Sequence, residues 1–137
     1  MNGQMGALYG APSGNTGYNP GWRVFVRHSD MRSLSPAMAW IFADESMYTL
    51  NDGFLQMNLN SFDYPDVLAA YHGGVNCFTF GDGHGEAHKW KWKGPAGGGL
   101  LNCPYSKGVT GTHWPSSGQD VDWLWLRARS ATPTTTP

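Results

Sequence analysis

The stretch from Val75 to Trp92 constrains the fold more than any other. Val75 to Phe80 reads as a strand, Gly81-Asp82-Gly83 as a tight turn, and Glu86 to Trp92 as the returning strand. A turn this short joins antiparallel neighbours, and no stretch of the chain has the strand–helix–strand spacing of a parallel sheet. The other segments follow the same pattern. Trp22 to Arg27 alternates with the period of a strand, and Ala37 to Ala43 is an apolar run that reads as a buried strand. After the turn signal Asn51-Asp52-Gly53, Leu55, Met57 and Leu59 share one strand face. Tyr64-Pro65-Asp66 opens a segment through Tyr71 that reads as one or two helical turns. Asp120 is placed to cap a helix over 121–129, with Arg127 and Arg129 at its negative end. The expected fold is mainly β (α+β), an antiparallel sheet of about four to six strands with a short C-terminal helix.

Three regions are expected: an N-terminal loop segment over 1–21, a β head domain over 22–129, and a Thr/Pro-rich tail over 130–137. The residues from Gly94 to Gln119 read as loop, with Gly97-Gly98-Gly99 its most flexible point. The first residues, Met1 to Gly6, look more like the middle of a domain than a beginning.

A chain of 137 residues with 40% hydrophobic side chains can bury a real core, and its 19 Gly, 9 Pro and 7 Trp suit short strands and tight loops. Nine Lys plus Arg against ten Asp plus Glu give no basic footprint, which argues against nucleic-acid binding. No run of about 18 apolar residues is present to span a membrane.

Cys77 and Cys103 allow one intrachain pairing, a disulfide, or else two buried thiols. Two sets of side chains have metal-ligand character. His84, Glu86 and His88 would share a face of a strand and suit zinc or a similar ion. Asp44, Glu45, Asp52 and Asp82 fall at strand ends and turns, where calcium finds oxygen-rich loops. The plainer reading is a wet hairpin face and ordinary turn chemistry. Trp90, Trp92 and Trp114 are the tryptophans left to stack on a sugar, against burial in a core or interface. No nucleophile elbow or phosphate loop is present, and nothing in the residues asks for an enzyme.

At the hairpin the residues become specific. His72, nine residues, then Asp82-Gly83 resembles the signature of the prepilin-type processing-associated proteins, which are named for that spacing and abound in planctomycetes and verrucomicrobia. Further pieces match in order: Ser29-Asp30-Met31, Trp40 to Glu45, Leu50 to Phe54, Asp63-Tyr64-Pro65, Ala70-Tyr71-His72, Phe78 to His84, His88-Lys89-Trp90 and Asp122-Trp123-Leu124. The likeness covers about residues 22–129.

The resemblance implies a pseudopilin-like protein, a β-sheet head exposed outside the cytoplasmic membrane behind a prepilin leader and a long apolar helix that this chain lacks. It implies an extracytoplasmic structural or assembly role in a filament or type II secretion-like apparatus. The partners would be other pilin-like or secretion-apparatus subunits, including further copies of this chain by self-assembly, and membrane attachment would run only through the N-terminal helix. Related secretion pseudopilins hold calcium in a C-terminal loop, which adds weight to the carboxylate set. His72 is expected to be a structural residue bonded to the hairpin, and Asp82-Gly83 the turn itself. The competing reading is a secreted polysaccharide-binding module using exposed Trp and calcium, with a metal-dependent hydrolase behind both.

Overall fold

The computed structural model describes residues 1–5, 19–94, 98–104 and 113–134. All of residues 6–18, residues 95–97 and 105–112 of the stretch read as loop, and the last three residues of the Thr/Pro tail lie outside them.

Among the described residues, five strands and one α-helix follow in chain order: β1 (Trp40–Ala43), β2 (Asp63–Tyr64), β3 (Val75–Phe80), β4 (Gly85–Lys89), β5 (Trp114–Pro115) and α1 (Val121–Ser130). The fold is mainly antiparallel β with one C-terminal helix, as the turn pattern predicts. The strands divide between two sheets, β1-β3-β4 and β2-β5.

The hairpin forms as read. Along β3, Asn76, Phe78 and Phe80 face inward while Cys77 and Thr79 face out. Phe78 is the hub of the core: its ring meets Trp40 at 5.9 Å, Trp90 at 5.9 Å and Trp125 at 5.1 Å, each edge to face. Gly83 sits at φ +91°, a conformation that favours glycine, and its amide donates to the Phe80 carbonyl at 2.9 Å. Gly81 is needed for a different reason. A Cβ there would lie 2.8 Å from Met31 Sδ and 3.1 Å from the Pro36 carbonyl oxygen.

α1 begins where Asp120 predicts. Its Oδ1 accepts from the amides of Asp122 and Trp123, at 2.9 and 3.0 Å. Its Oδ2 accepts from the Tyr64 hydroxyl at 3.0 Å and from Ser116 Oγ at 2.9 Å. One buried carboxylate therefore starts the helix and ties it to β2.

Several expectations are corrected. Trp22 to Arg27 is not a strand, although Phe25 bridges Met5 and Trp22 bridges Pro133. The Asp30 carboxylate accepts from the amides of Val26 and Arg27 and bends the chain into the 3-10 turn His28–Arg32. Leu55, Met57 and Leu59 are buried together as read, but Gln56 is buried too, and the segment is not a strand: among the described residues its one β-bridge joins Leu55 to Asn2. The Tyr64 to Tyr71 segment is not helical. Pro65 disfavours helix at the residue before it, and the chain runs on to pair Leu68 with Glu45.

Residues 1–5 are part of the core, not a peripheral loop. Asn2 is fully buried, its Nδ2 donating to the Trp40 carbonyl at 2.9 Å and the Ser130 carbonyl at 3.3 Å. The start of the expected tail packs as well. The Arg23 amide donates to the Thr132 carbonyl at 2.9 Å, and the Thr134 amide to Gly21 at 2.8 Å.

Candidate interaction face

Successive side chains of a strand point to opposite faces, so sealing Asn76, Phe78 and Phe80 inside leaves Cys77 and Thr79 outside. The register adds Phe42 beside Thr79 on β1, and Gly85 and Ala87 beside Thr79 and Cys77 on β4. The result is a shallow trough of about 460 Å³ on the outer face of the sheet. Its floor is made of small side chains, and Phe42, 55% exposed, forms one wall. Asp44 and Glu86 complete its lining. This is a mostly apolar surface with no side chain of the described residues laid across it. It can remove another apolar element from water, and its small residues let a backbone come close.

The signature residues do not meet. The nine residues between His72 and Asp82 comprise β3 with the turn residues at either end, so a strand of roughly 20 Å separates the two. His72 is exposed and makes no hydrogen bond among the described residues, which corrects its expected bond to the hairpin. Gly73 and Gly74, at φ +66° and +81°, turn the chain beyond it into β3. Asp82 does what a turn carboxylate does: its Oδ1 accepts from the His84 amide at 3.1 Å and contacts His84 Nδ1 at 2.6 Å. Those bonds from His84 hold its carboxyl below the usual range.

The expected metal sets are not brought together, and no three His, Cys, Asp or Glu side chains of the described residues converge on a common point. His84, Glu86 and His88 do alternate along one face, but they diverge. His84 stacks on Phe80 at 4.4 Å. His88 is buried against Trp125 at 3.9 Å with Nε2 3.5 Å from Asp122, while Glu86 stays exposed 4.0 Å away. Burial lowers the His88 pKa despite Asp122. Of the carboxylates, Asp44 lies at the end of β1 opposite the β3–β4 turn that holds Asp82. Asp52 caps the Phe54 amide at 2.7 Å. Glu45 accepts from Thr49 Oγ1 at 3.0 Å, and burial pushes its pKa up to about 7.

Cys77 and Cys103 are unpaired. Cys77 is on the outer sheet face, while Cys103 is half-buried with its pKa pushed up to about 11, so it stays a thiol. Trp90 is excluded as a sugar platform: it is 2% exposed and its Nε1 donates to the Ala69 carbonyl at 3.0 Å. Trp92 and Trp114 are half-buried, Trp114 against Tyr48 at 5.4 Å.

Sequence reasoning missed Asn19, Asn76, Asp66 and Asp122, all buried. Asn76 is the clearest of them. It accepts from the Asp44 amide at 3.2 Å and donates to the carbonyls of Asp44 and Ala69 at 2.8 and 2.9 Å. The available signal was a polar residue at an inward position of a predicted strand. Among the described residues no helix is long and apolar enough to cross a membrane. Compared with family models, curated proteins and solved structures, the chain matches none.

Proposed function

We propose that the chain is a structural module, the extracytoplasmic head of a pilin-like or pseudopilin protein, which works by packing and assembly and not by catalysis. The observation that carries this reading is the outer face of the β1-β3-β4 sheet. A small-residue floor of Cys77, Thr79, Gly85 and Ala87 beside an exposed Phe42 suits one apolar helix lying across three strands. An apolar helix of about 20 residues ahead of the head would supply such an element. Covering the face would remove Phe42 from water, at roughly 25 cal/mol for each Å² of apolar surface buried. The order of motifs from Ser29 to Leu124 supports the same reading through its resemblance to the prepilin-type family.

Cys77 makes the reading testable, because its thiol stands on this face. Maleimide labelling of Cys77 is expected to be fast in the purified chain and strongly protected in the envelope of the producing cell, with Cys103 slow in both. Equal labelling of Cys77 in both settings would remove the proposal. Cys77→Arg is expected to leave the melting temperature of the purified chain nearly unchanged and to abolish its incorporation into envelope assemblies.

A further inference from the structure

We infer that the free edge of β4 is a self-association surface, pairing antiparallel with β4 of a second copy about a two-fold axis centred on Ala87. The parity of the hairpin ladder sets which backbone groups are available. The Trp90 amide donates to the Gly74 carbonyl at 2.7 Å and the Phe80 amide to the His84 carbonyl at 3.0 Å. In an antiparallel pair, bonded and non-bonded residue pairs alternate. Glu86 and His88 are therefore bonded to β3, and Gly85, Ala87 and Lys89 point their N–H and C=O groups away from it. β4 is an edge strand of the sheet, so those groups project from an edge that no other strand among the described residues covers.

The edge is open where it would pair and closed just beyond. Gly85, Glu86, Ala87 and Lys89 are all exposed. The next outward amide, at Lys91, is already taken by Asp122 Oδ2 at 2.8 Å, together with that of Trp92. β4 contains no proline, and its register with β3 is unbroken, so the usual features that blunt an edge strand are missing apart from its charges.

A second copy of this chain can pair here without setting like charges opposite one another. With Ala87 opposite Ala87, the bonded pairs are Gly85–Lys89, Ala87–Ala87 and Lys89–Gly85, the residues whose backbone groups are free. Each such pair exchanges two hydrogen bonds. The same register sets Glu86 opposite His88 of the other copy twice over, and keeps the two lysines apart, each facing a glycine. A two-fold interface needs this kind of self-complementary patch. One strand pair is a small interface, so the dimer is expected to be weak and to matter at the high local concentration of an assembly. The pairing uses the edge of the sheet and leaves its outer face free, so it stands or falls separately from a helix on that face.

Sedimentation of the purified chain over tens to hundreds of micromolar tests it. The expected result is a reversible monomer–dimer equilibrium that Ala87→Pro weakens at least tenfold. Because the Ala87 amide points away from β3, Pro removes an outward donor and no hairpin bond. A chain that stays monomeric throughout, or an Ala87→Pro variant that dimerises like the parent, overturns the inference. Should Ala87→Pro fail to fold, Ala87→Cys in a Cys77→Ser, Cys103→Ser background replaces it. Mild oxidation should then yield a disulfide-linked dimer, and a thiol that stays monomeric overturns the pairing.

Discussion

In the β1-β3-β4 sheet, backbone amides find carbonyls on neighbouring strands, and the outward side chains have little bonding to do. The half of the molecule built around residues 1–5, 19–27 and 55–59 buries Asn2, Trp22, Phe25, Leu55, Met57 and Leu59 as deeply but has only isolated bridges. There the ladder is replaced by side-chain amides. Asn19 donates to Gln4 Oε1 at 3.0 Å and to the Met57 carbonyl at 2.8 Å, and accepts from the Leu59 amide at 2.7 Å. Gln4 passes the connection on to the Arg23 carbonyl at 3.0 Å. Irregular backbone can be buried only if something satisfies it, and here a few amide side chains do so. Stability in this half therefore concentrates in single residues, whereas the sheet spreads it along the backbone.

The largest expected effect breaks that comparison most directly. Asn19→Ala strips partners from a buried amide and two buried acceptors, and should cost about 3 kcal/mol or more. Thr79→Ala, on the outer sheet face, should stay within about 0.5 kcal/mol. Chemical denaturation of the two variants beside the parent checks both. Similar losses at the two sites would mean that the irregular half is not held as described.

A smaller effect is expected from pH. Burial and neighbouring carboxylates push Glu45 up to about 7, and burial pushes Asp66, whose Oδ2 accepts the Gln56 amide at 2.6 Å, up to about 6. Unfolded, both groups titrate at about 4. The native state thus holds protons more tightly, so the stabilisation is complete below about pH 4, fades as pH rises, and is lost by about pH 6 for Asp66 and pH 7 for Glu45. His88 acts in the opposite sense, since burial lowers its pKa and its contribution declines as pH falls through the ordinary histidine range. The melting temperature should climb as pH falls from about 7 toward about 4, partly offset by His88 below the ordinary histidine range. Glu45→Gln with Asp66→Asn should remove the climb, and a parent with a flat profile over that interval would refute the assignment.

The smallest effect is at the signature histidine. His72→Ala should leave stability within about 0.5 kcal/mol of the parent, because the side chain is exposed and makes no hydrogen bond among the described residues. A large loss of melting temperature in that variant would restore a structural bond between His72 and the hairpin.

The residues that could be read from sequence are those whose role is local. The β3–β4 hairpin, its Asp82-Gly83 turn and the Asp120 cap of α1 each depend on neighbours within a few positions, so alternation and turn chemistry reveal them. What only the tertiary structure decided is which distant groups complete one another. Asp120 also accepts from Tyr64, 56 positions away, and Asn2 reaches Ser130, 128 positions away. The metal sets failed for the same reason: alternation places His84, Glu86 and His88 on one face, but packing against Phe80, Trp125 and solvent sends each a different way. The outer sheet face lay between the two. Its residues follow from alternation once β3 is recognised, but only the assembled sheet shows that the core and α1 occupy one side and leave Cys77 and Thr79 uncovered on the other. Local sequence sets the direction a side chain takes from its own backbone, and the rest of the chain sets what it meets there.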